Sequence, residues 1–328
     1  MYSDPMIAGR RFAASVYSSA WSRRLVPSVL AETLIDACVF GIARLRPDVF
    51  ADWLSFYREL LAHTSQAGHE HEIAWRGVAE YLHHHEIFWR PWLMKRGEIE
   101  GLEHLRRARA TDRGVVAVYP HFGMHYAQHP ILRRHGIAVW AVAARRPDSE
   151  LLGGAETRFI MRARKYLDAL GHGRVITPRA ENRDGIGAFA RALETLLAGR
   201  MVTIAFDQHG RTQTAFLGRT LQLASGPSRL TTAADAVALP FVIRRRGYRP
   251  VLRFMQPIDA RHFDGNAEAL QRAIAAVFEQ VVLEQPEAVW PMFAEDGVPL
   301  MIRGPAVAPC RSTGLSARTA ASDGPPVP

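Results

Sequence analysis

The chain has 328 residues, 48% of them hydrophobic, and a formal net charge of +9. That is enough for one large domain with an appendage. The basic side is almost all arginine, because Lys95 and Lys165 are the only lysines, and such a surface favours acidic partners: anionic lipid, nucleic acid or an acidic carrier protein. The charge is spread along the chain and no compact nucleic-acid motif occurs, so lipid headgroups and a carrier protein rank above nucleic acid. Cys38 and Cys310 lie far apart and make no disulfide framework, which points to a reducing compartment. No signal peptide is evident, with Asp4 and Pro5 near the start. No apolar run reaches the roughly 18 uncharged residues that a transmembrane helix needs. An interfacial helix needs only one apolar face and stays open.

Residues 1–96 read as a helical region with a possible membrane-interfacial role. The stretch from Arg10 to Arg24 mixes aromatics with arginines. Val29-Leu30, Leu34-Ile35, Cys38-Val39 and Ile42 recur at helical spacing, with Glu32 and Asp36 on another face. That pattern suits a core-packing helix or an interfacial one flanked by phosphate-binding arginines. Trp75, Tyr81, Phe88, Trp89, Trp92 and Leu93 either line an apolar groove or pack in a core. His69, His71, His83, His84 and His85 have no nearby cysteine and no metal-ligand spacing, so they read as a solvated surface.

From Glu100 the pattern changes. A helix is expected over 101–109, then strands over 114–119, 137–143, 174–177, 201–206, 239–245 and 250–255. Helices over 124–135, 149–170, 183–198, 226–236 and 266–284 lie between them. This alternation predicts an α/β fold with a mixed, mostly parallel sheet flanked by helices, over 97–303. Residues 304–328, rich in Pro, Ser, Ala and Gly, read as a disordered tail. No Gly-x-Gly-x-x-Gly follows the first long strand and no Gly-x-Ser-x-Gly occurs, against a dinucleotide enzyme and a serine hydrolase.

The most informative stretch is Val115-Val116-Ala117-Val118-Tyr119-Pro120-His121-Phe122-Gly123. A buried strand is broken by Pro120, which cannot donate to a ladder. His121 and Gly123 then sit at the strand's carboxyl end, where open α/β sheets bind ligands. A histidine there suits general-base work, or it simply bonds backbone. His121 and His125 also share a His-x-x-x-His spacing, but the glutamate of a zinc helix is missing.

Other stretches join this one in order: Gly97-Glu98-Ile99-Glu100-Gly101-Leu102-Glu103, Arg145-Arg146-Pro147, Ile204-Ala205-Phe206-Asp207-Gln208-His209, Phe216-Leu217-Gly218 and Gln285-Pro286-Glu287-Ala288-Val289-Trp290. Together they resemble the late acyltransferases of lipid A biosynthesis, the lauroyl/myristoyl type, within the lysophospholipid acyltransferase superfamily. The resemblance runs from about residue 97 to 300. It implies a glycerolipid-acyltransferase-like fold and transfer of a fatty acyl group from a thioester donor, acyl carrier protein or acyl-coenzyme A, to a hydroxyl or amine of a lipid or glycolipid acceptor. It implies no cofactor, no metal and no covalent enzyme intermediate. Placement is expected at a membrane surface, peripheral on the cytoplasmic face of the inner membrane.

In the family's pattern the histidine is followed, after four residues, by a carboxylate that orients the imidazole and stabilises its cation, a division of labour also known from Ser-His-Asp sites. Counting from His121, that position holds Tyr126, which carries no charge at neutral pH. Asp207, at another strand's carboxyl end, is a candidate substitute or a turn-capping aspartate. The catalytic candidates are therefore His121, Tyr126 and Asp207. Gly123, Arg145, Arg146, Arg179, Gln208, Phe216, Gly218 and Trp290 are candidates for substrate binding. The missing carboxylate also leaves a second reading: a catalytically impaired relative that binds lipid or a carrier-bound acyl chain.

Overall fold

The computed structural model describes residues 28–45, 47–89, 96–142, 175–176, 187–247 and 249–289. Among the described residues three helices come first: α1 (Ser28–Leu45), α2 (Pro47–Leu61) and α3 (Glu70–Trp89). In α2, Pro47 stands in the first turn, where its missing N–H is no loss. Val49, Phe50, Trp53, Phe56, Tyr57, Leu60 and Leu61 then recur on one face and are buried. In α1, Ile35, Val39 and Ile42 face inward, while Leu30, Leu34, Phe40 and Leu45 are exposed. This helix thus combines a core-facing stripe with an uncovered apolar one. Trp75 and Tyr81 of α3 pack edge-on against Phe50 and Trp53 of α2.

The α/β part follows as β1 (Glu98–Glu100), α4 (Leu102–Arg109), β2 (Val115–Tyr119), α5 (Gln128–Arg134), β3 (Trp140–Val142), β4 (Val175–Ile176), α6 (Ala188–Leu197), β5 (Met201–Ala205), β6 (His209–Phe216) and β7 (Arg219–Leu223). It ends with α7 (Gly226–Ala233), β8 (Val237–Arg246), β9 (Arg249–Phe254), β10 (Ile258–Asp259) and α8 (Ala267–Glu284). The main sheet has the order β1-β9-β8-β2-β5-β3-β4, with β10 also pairing β8. From β8 to β4 neighbours run parallel, and β9 returns antiparallel to β8.

Strand alternation sends side chains to both faces. Val116 and Val118 join one apolar layer with α1, α2, α3, α6, α7 and α8, while Val115 and Ala117 join another with α4 and α5. The first layer is continuous from Ile35 to Val289, so the N-terminal helices and the sheet share one core. An ion pair spans the same junction, Arg245 of β8 donating to Glu80 of α3 at 2.9 Å.

The predicted mixed, mostly parallel sheet is present, with differences in detail. Strands β1, β6, β7 and β10 were not expected. The first has three residues that pair in parallel with β9, and its Glu98 and Glu100 face Arg246, Arg249 and Arg244. β6 and β7 form a separate hairpin whose exposed residues are mostly polar. The helix expected over 124–135 is a 3₁₀ turn, His125–Ala127, followed by the shorter α5. The helix expected over 226–236 stops at Ala233, and Asp235 beyond it is left-handed. The helix over 149–170, the tail over 304–328 and the Arg10–Arg24 stretch lie outside the described residues.

Candidate active site

The register of two neighbouring strands builds the site. β2 and β5 are parallel, and their last residues, Tyr119 and Ala205, are partners. The ladder continues one step further, where the Phe206 N–H donates to the Tyr119 carbonyl at 2.7 Å. Two residues past each strand end stand His121 and Asp207, so equal offsets from paired positions bring the imidazole and the carboxylate side by side. His121 Nδ1 is 2.7 Å from Asp207 Oδ1. The His121 backbone N–H donates to Asp207 Oδ2 at 2.6 Å. One carboxylate therefore holds both the ring and the main chain of the histidine.

The carboxylate accepts only, so Nδ1 carries the proton of the neutral ring and Nε2 is the basic nitrogen. The Asp207 side chain is 1% exposed and that of His121 is 19% exposed. Burial alone would depress the His121 pKa, but the Asp207 charge and its hydrogen bond outweigh burial and raise it above the ordinary histidine value. Nearby Tyr119, its ring 6.1 Å from that of His121, is pushed up to about 12, first by burial, with a Gln128 hydrogen bond opposing and the Asp207 charge adding. It stays a neutral phenol.

The loop carrying His121 is tied down at each following residue. Phe122 N–H donates to the Pro120 carbonyl at 2.8 Å, Gly123 N–H to Ala288 at 2.7 Å and Met124 N–H to Ile243 at 3.0 Å. Gly123 has φ +52°, and a Cβ there would meet the Ile243 carbonyl oxygen at 2.3 Å. Only glycine fits this close approach. Phe122 also bridges Val289. The segment Gln285–Val289 thus acts as a strap across the loop, and it is itself anchored by Tyr57 of α2, whose hydroxyl lies 3.1 Å from the Glu287 and Val289 carbonyls.

Behind His121 stands a group of rings that sequence reasoning missed. His125 meets the His121 ring edge-on, with centroids 4.8 Å apart at 74°. His84 of α3 stacks on His125 at 4.9 Å and 25°. Tyr126 packs against both, 4.3 Å from His125 and 5.0 Å from His84. His84 is therefore buried, and His83 is buried near Arg245 of β8, which corrects their reading as a solvated surface. The reason is that this turn of α3 faces the His121 loop; His69 and His71, near the start of the helix, are exposed. Burial first, and then the Arg245 charge, pushes His83 down to about 3. Among the described residues no group of three or more His, Cys, Asp or Glu side chains is placed to hold a metal ion.

Of the other candidates, Gln208 is exposed between β5 and β6, and its carbonyl accepts from the Ala224 N–H at 2.8 Å. Phe216 is buried in the core, its ring 6.0 Å from that of Phe206. Leu217 and Gly218, both with positive φ, form the two-residue turn of the β6–β7 hairpin, as a primed turn requires. Gly218 also packs closely on His63. Arg145, Arg146, Arg179 and Trp290 lie outside the described residues.

The mostly parallel sheet thus carries a carboxylate-held histidine at the carboxyl ends of its two adjacent strands β2 and β5. The sequence matches the bacterial lipid A biosynthesis acyltransferase family over residues 87–295, more than half of its length, and the chain belongs to that family. Acyl transfer to lipid is the family's activity. Comparison with curated proteins finds no match.

Proposed function

We propose that the protein transfers a fatty acyl group from a thioester, carried by acyl carrier protein or coenzyme A, to a hydroxyl or amine of a lipid-like acceptor, with His121 as general base. The acceptor O–H or N–H loses its proton to His121 Nε2 as its oxygen or nitrogen attacks the thioester carbonyl carbon. A C–O or C–N bond forms and the carbonyl oxygen takes the negative charge. When the carbonyl re-forms, the C–S bond breaks and the imidazolium returns its proton to the leaving sulfur. Asp207 orients the ring and stabilises its cation through these steps.

The observation that supports this reading is the pair of hydrogen bonds that the Asp207 carboxylate accepts from His121, one from the ring and one from the main chain. It supplies the charge that Tyr126 lacks. The test is thioester turnover with radiolabelled acyl carrier protein and acyl-coenzyme A, in the presence of a crude lipid extract, comparing the natural protein with H121A. Product that depends on His121 is expected. Product formed equally by H121A would remove the general base. No product from any donor, with acyl-chain binding intact, would favour the impaired, lipid-binding alternative.

The acceptor's nature implies a membrane surface, and the reading includes peripheral attachment on the cytoplasmic face of the inner membrane. Support comes from α1, whose Leu30, Leu34, Phe40 and Leu45 are half or more exposed, with Arg44 at its last turn. No helix among the described residues is long and apolar enough to cross a membrane. An apolar face with a flanking cation suits the headgroup boundary of anionic lipid.

A further inference from the structure

A single hydrogen bond at Nδ1 fixes one atom of an imidazole and leaves the ring free to tip about that contact. The second oxygen of Asp207 does not prevent this, because it bonds the His121 main chain rather than the ring. A second contact on the ring itself is needed to set its plane and aim Nε2. The edge-on ring of His125, 4.8 Å away, is such a contact. It is buried, and it is backed in turn by two rings from different parts of the chain: His84 on α3 and Tyr126 on the same 3₁₀ turn.

We propose that His125 is a positioning residue for His121, fixing the plane of the basic imidazole by edge-on ring contact, and that Tyr126 and His84 hold His125 in place. This rests on the acyl-transfer reading of His121. It also gives Tyr126 a task that requires no charge. With the carboxylate supplied from the end of β5, the position five residues after the histidine becomes part of a packed aromatic wall, where flat faces in contact do the holding. Because His84 belongs to α3, the wall makes the N-terminal helical layer part of the apparatus that aims the base.

The test separates ring shape from imidazole chemistry. H125A removes the wall and H125F keeps a flat ring without nitrogen. In the His121-dependent turnover assay, H125A is expected to lower kcat about a hundredfold, the scale set by a misplacement of about 1 Å, with KM little changed because His125 is buried behind the His121 ring. H125F is expected to restore most of that loss. A second readout needs no turnover: NMR titration of the His121 imidazole. Its midpoint lies above the ordinary value while Asp207 is engaged. It should fall in H125A as the contact loosens, and recover in H125F.

The proposal is overturned if H125F is as damaged as H125A, since the nitrogen atoms would then be what matters. It is also overturned if H125A matches the natural protein in kcat and midpoint. Should the natural protein show no His121-dependent turnover, the acyl-transfer reading fails, yet an unmoved midpoint in H125A still decides against the positioning role. If H125A does not fold, H125L against H125F makes the same comparison of branched chain and flat ring.

Discussion

Asp207 satisfies the Nδ1–H and the main-chain N–H of His121 with one buried carboxylate, so the charge that supports an imidazolium comes from the end of a neighbouring strand. D207N keeps the shape and removes the charge. By analogy with the Ser-His-Asp case, turnover should fall by about 10⁴, and the His121 midpoint should drop, because both influences that raise it come from Asp207. The proposed base, His121, must be neutral to act, so kcat/KM of the natural protein should rise with pH through a midpoint above about 6.5, the ordinary histidine value. A pH–rate profile with its acid limb below that value would contradict the assignment. Y126E should not raise the rate, although position 126 is where the family's pattern has its carboxylate, because Nδ1 is already engaged and the new charge would lie among the rings of His125 and His84. A faster Y126E enzyme would mean that Asp207 is not the working carboxylate. His121 and Asp207 were each legible in the sequence as polar residues ending buried strands. Their pairing was not, because periodicity does not say which strands are neighbours; that information lies in the β2–β5 register.

Among the elements, the strap Gln285–Val289 shows how a helix far away in sequence governs the histidine loop. Its Ala288 carbonyl holds Gly123, and Tyr57 of α2 holds its Glu287 and Val289 carbonyls. Y57F leaves those carbonyls without their donor, at a cost of roughly 1 kcal/mol in unfolding free energy. The more telling variant is G77A on α3. A Cβ at Gly77 would meet the Tyr57 hydroxyl oxygen at 2.3 Å, and both partners lie in a packed layer, so about 1–3 kcal/mol of destabilisation is expected. Denaturant midpoints measure both. A G77A protein as stable as the natural one would show that Tyr57 can move aside without loss. The strap's sequence was recognisable as a family segment, but its mechanical task was not, because every bond it makes is long-range and main-chain. The β6–β7 hairpin escaped for a different reason: its exposed face is polar, so apolar alternation, the main strand signal, is weak.

Across the whole molecule, the helical layer and the sheet meet over buried groups that must stay neutral or paired. Glu80 of α3 is held by Arg245 of β8, and His83, three residues further along α3, is buried beside the same arginine with its pKa pushed down to about 3. His129 of α5 is likewise pushed down by burial, to about 4. In the unfolded chain both histidines titrate near 6.5. The unfolded state therefore binds more protons than the folded state between about 6.5 and these lower values, and stability must fall as pH drops through that window. The layer containing α3 is one continuous core from Ile35 to Val289, so losing the junction should not release the helices alone. Acid unfolding should appear as one cooperative transition, seen alike by helix signal and by tryptophan fluorescence. Replacing His83 with glutamine removes one of the two protonations, so its loss of stability between pH 6.5 and 4 should be smaller than that of the natural protein, whatever its stability at neutral pH. Equal slopes of unfolding free energy against pH for the two proteins would mean that His83 does not bind its proton on unfolding, and that the helix–sheet junction is not where acid acts.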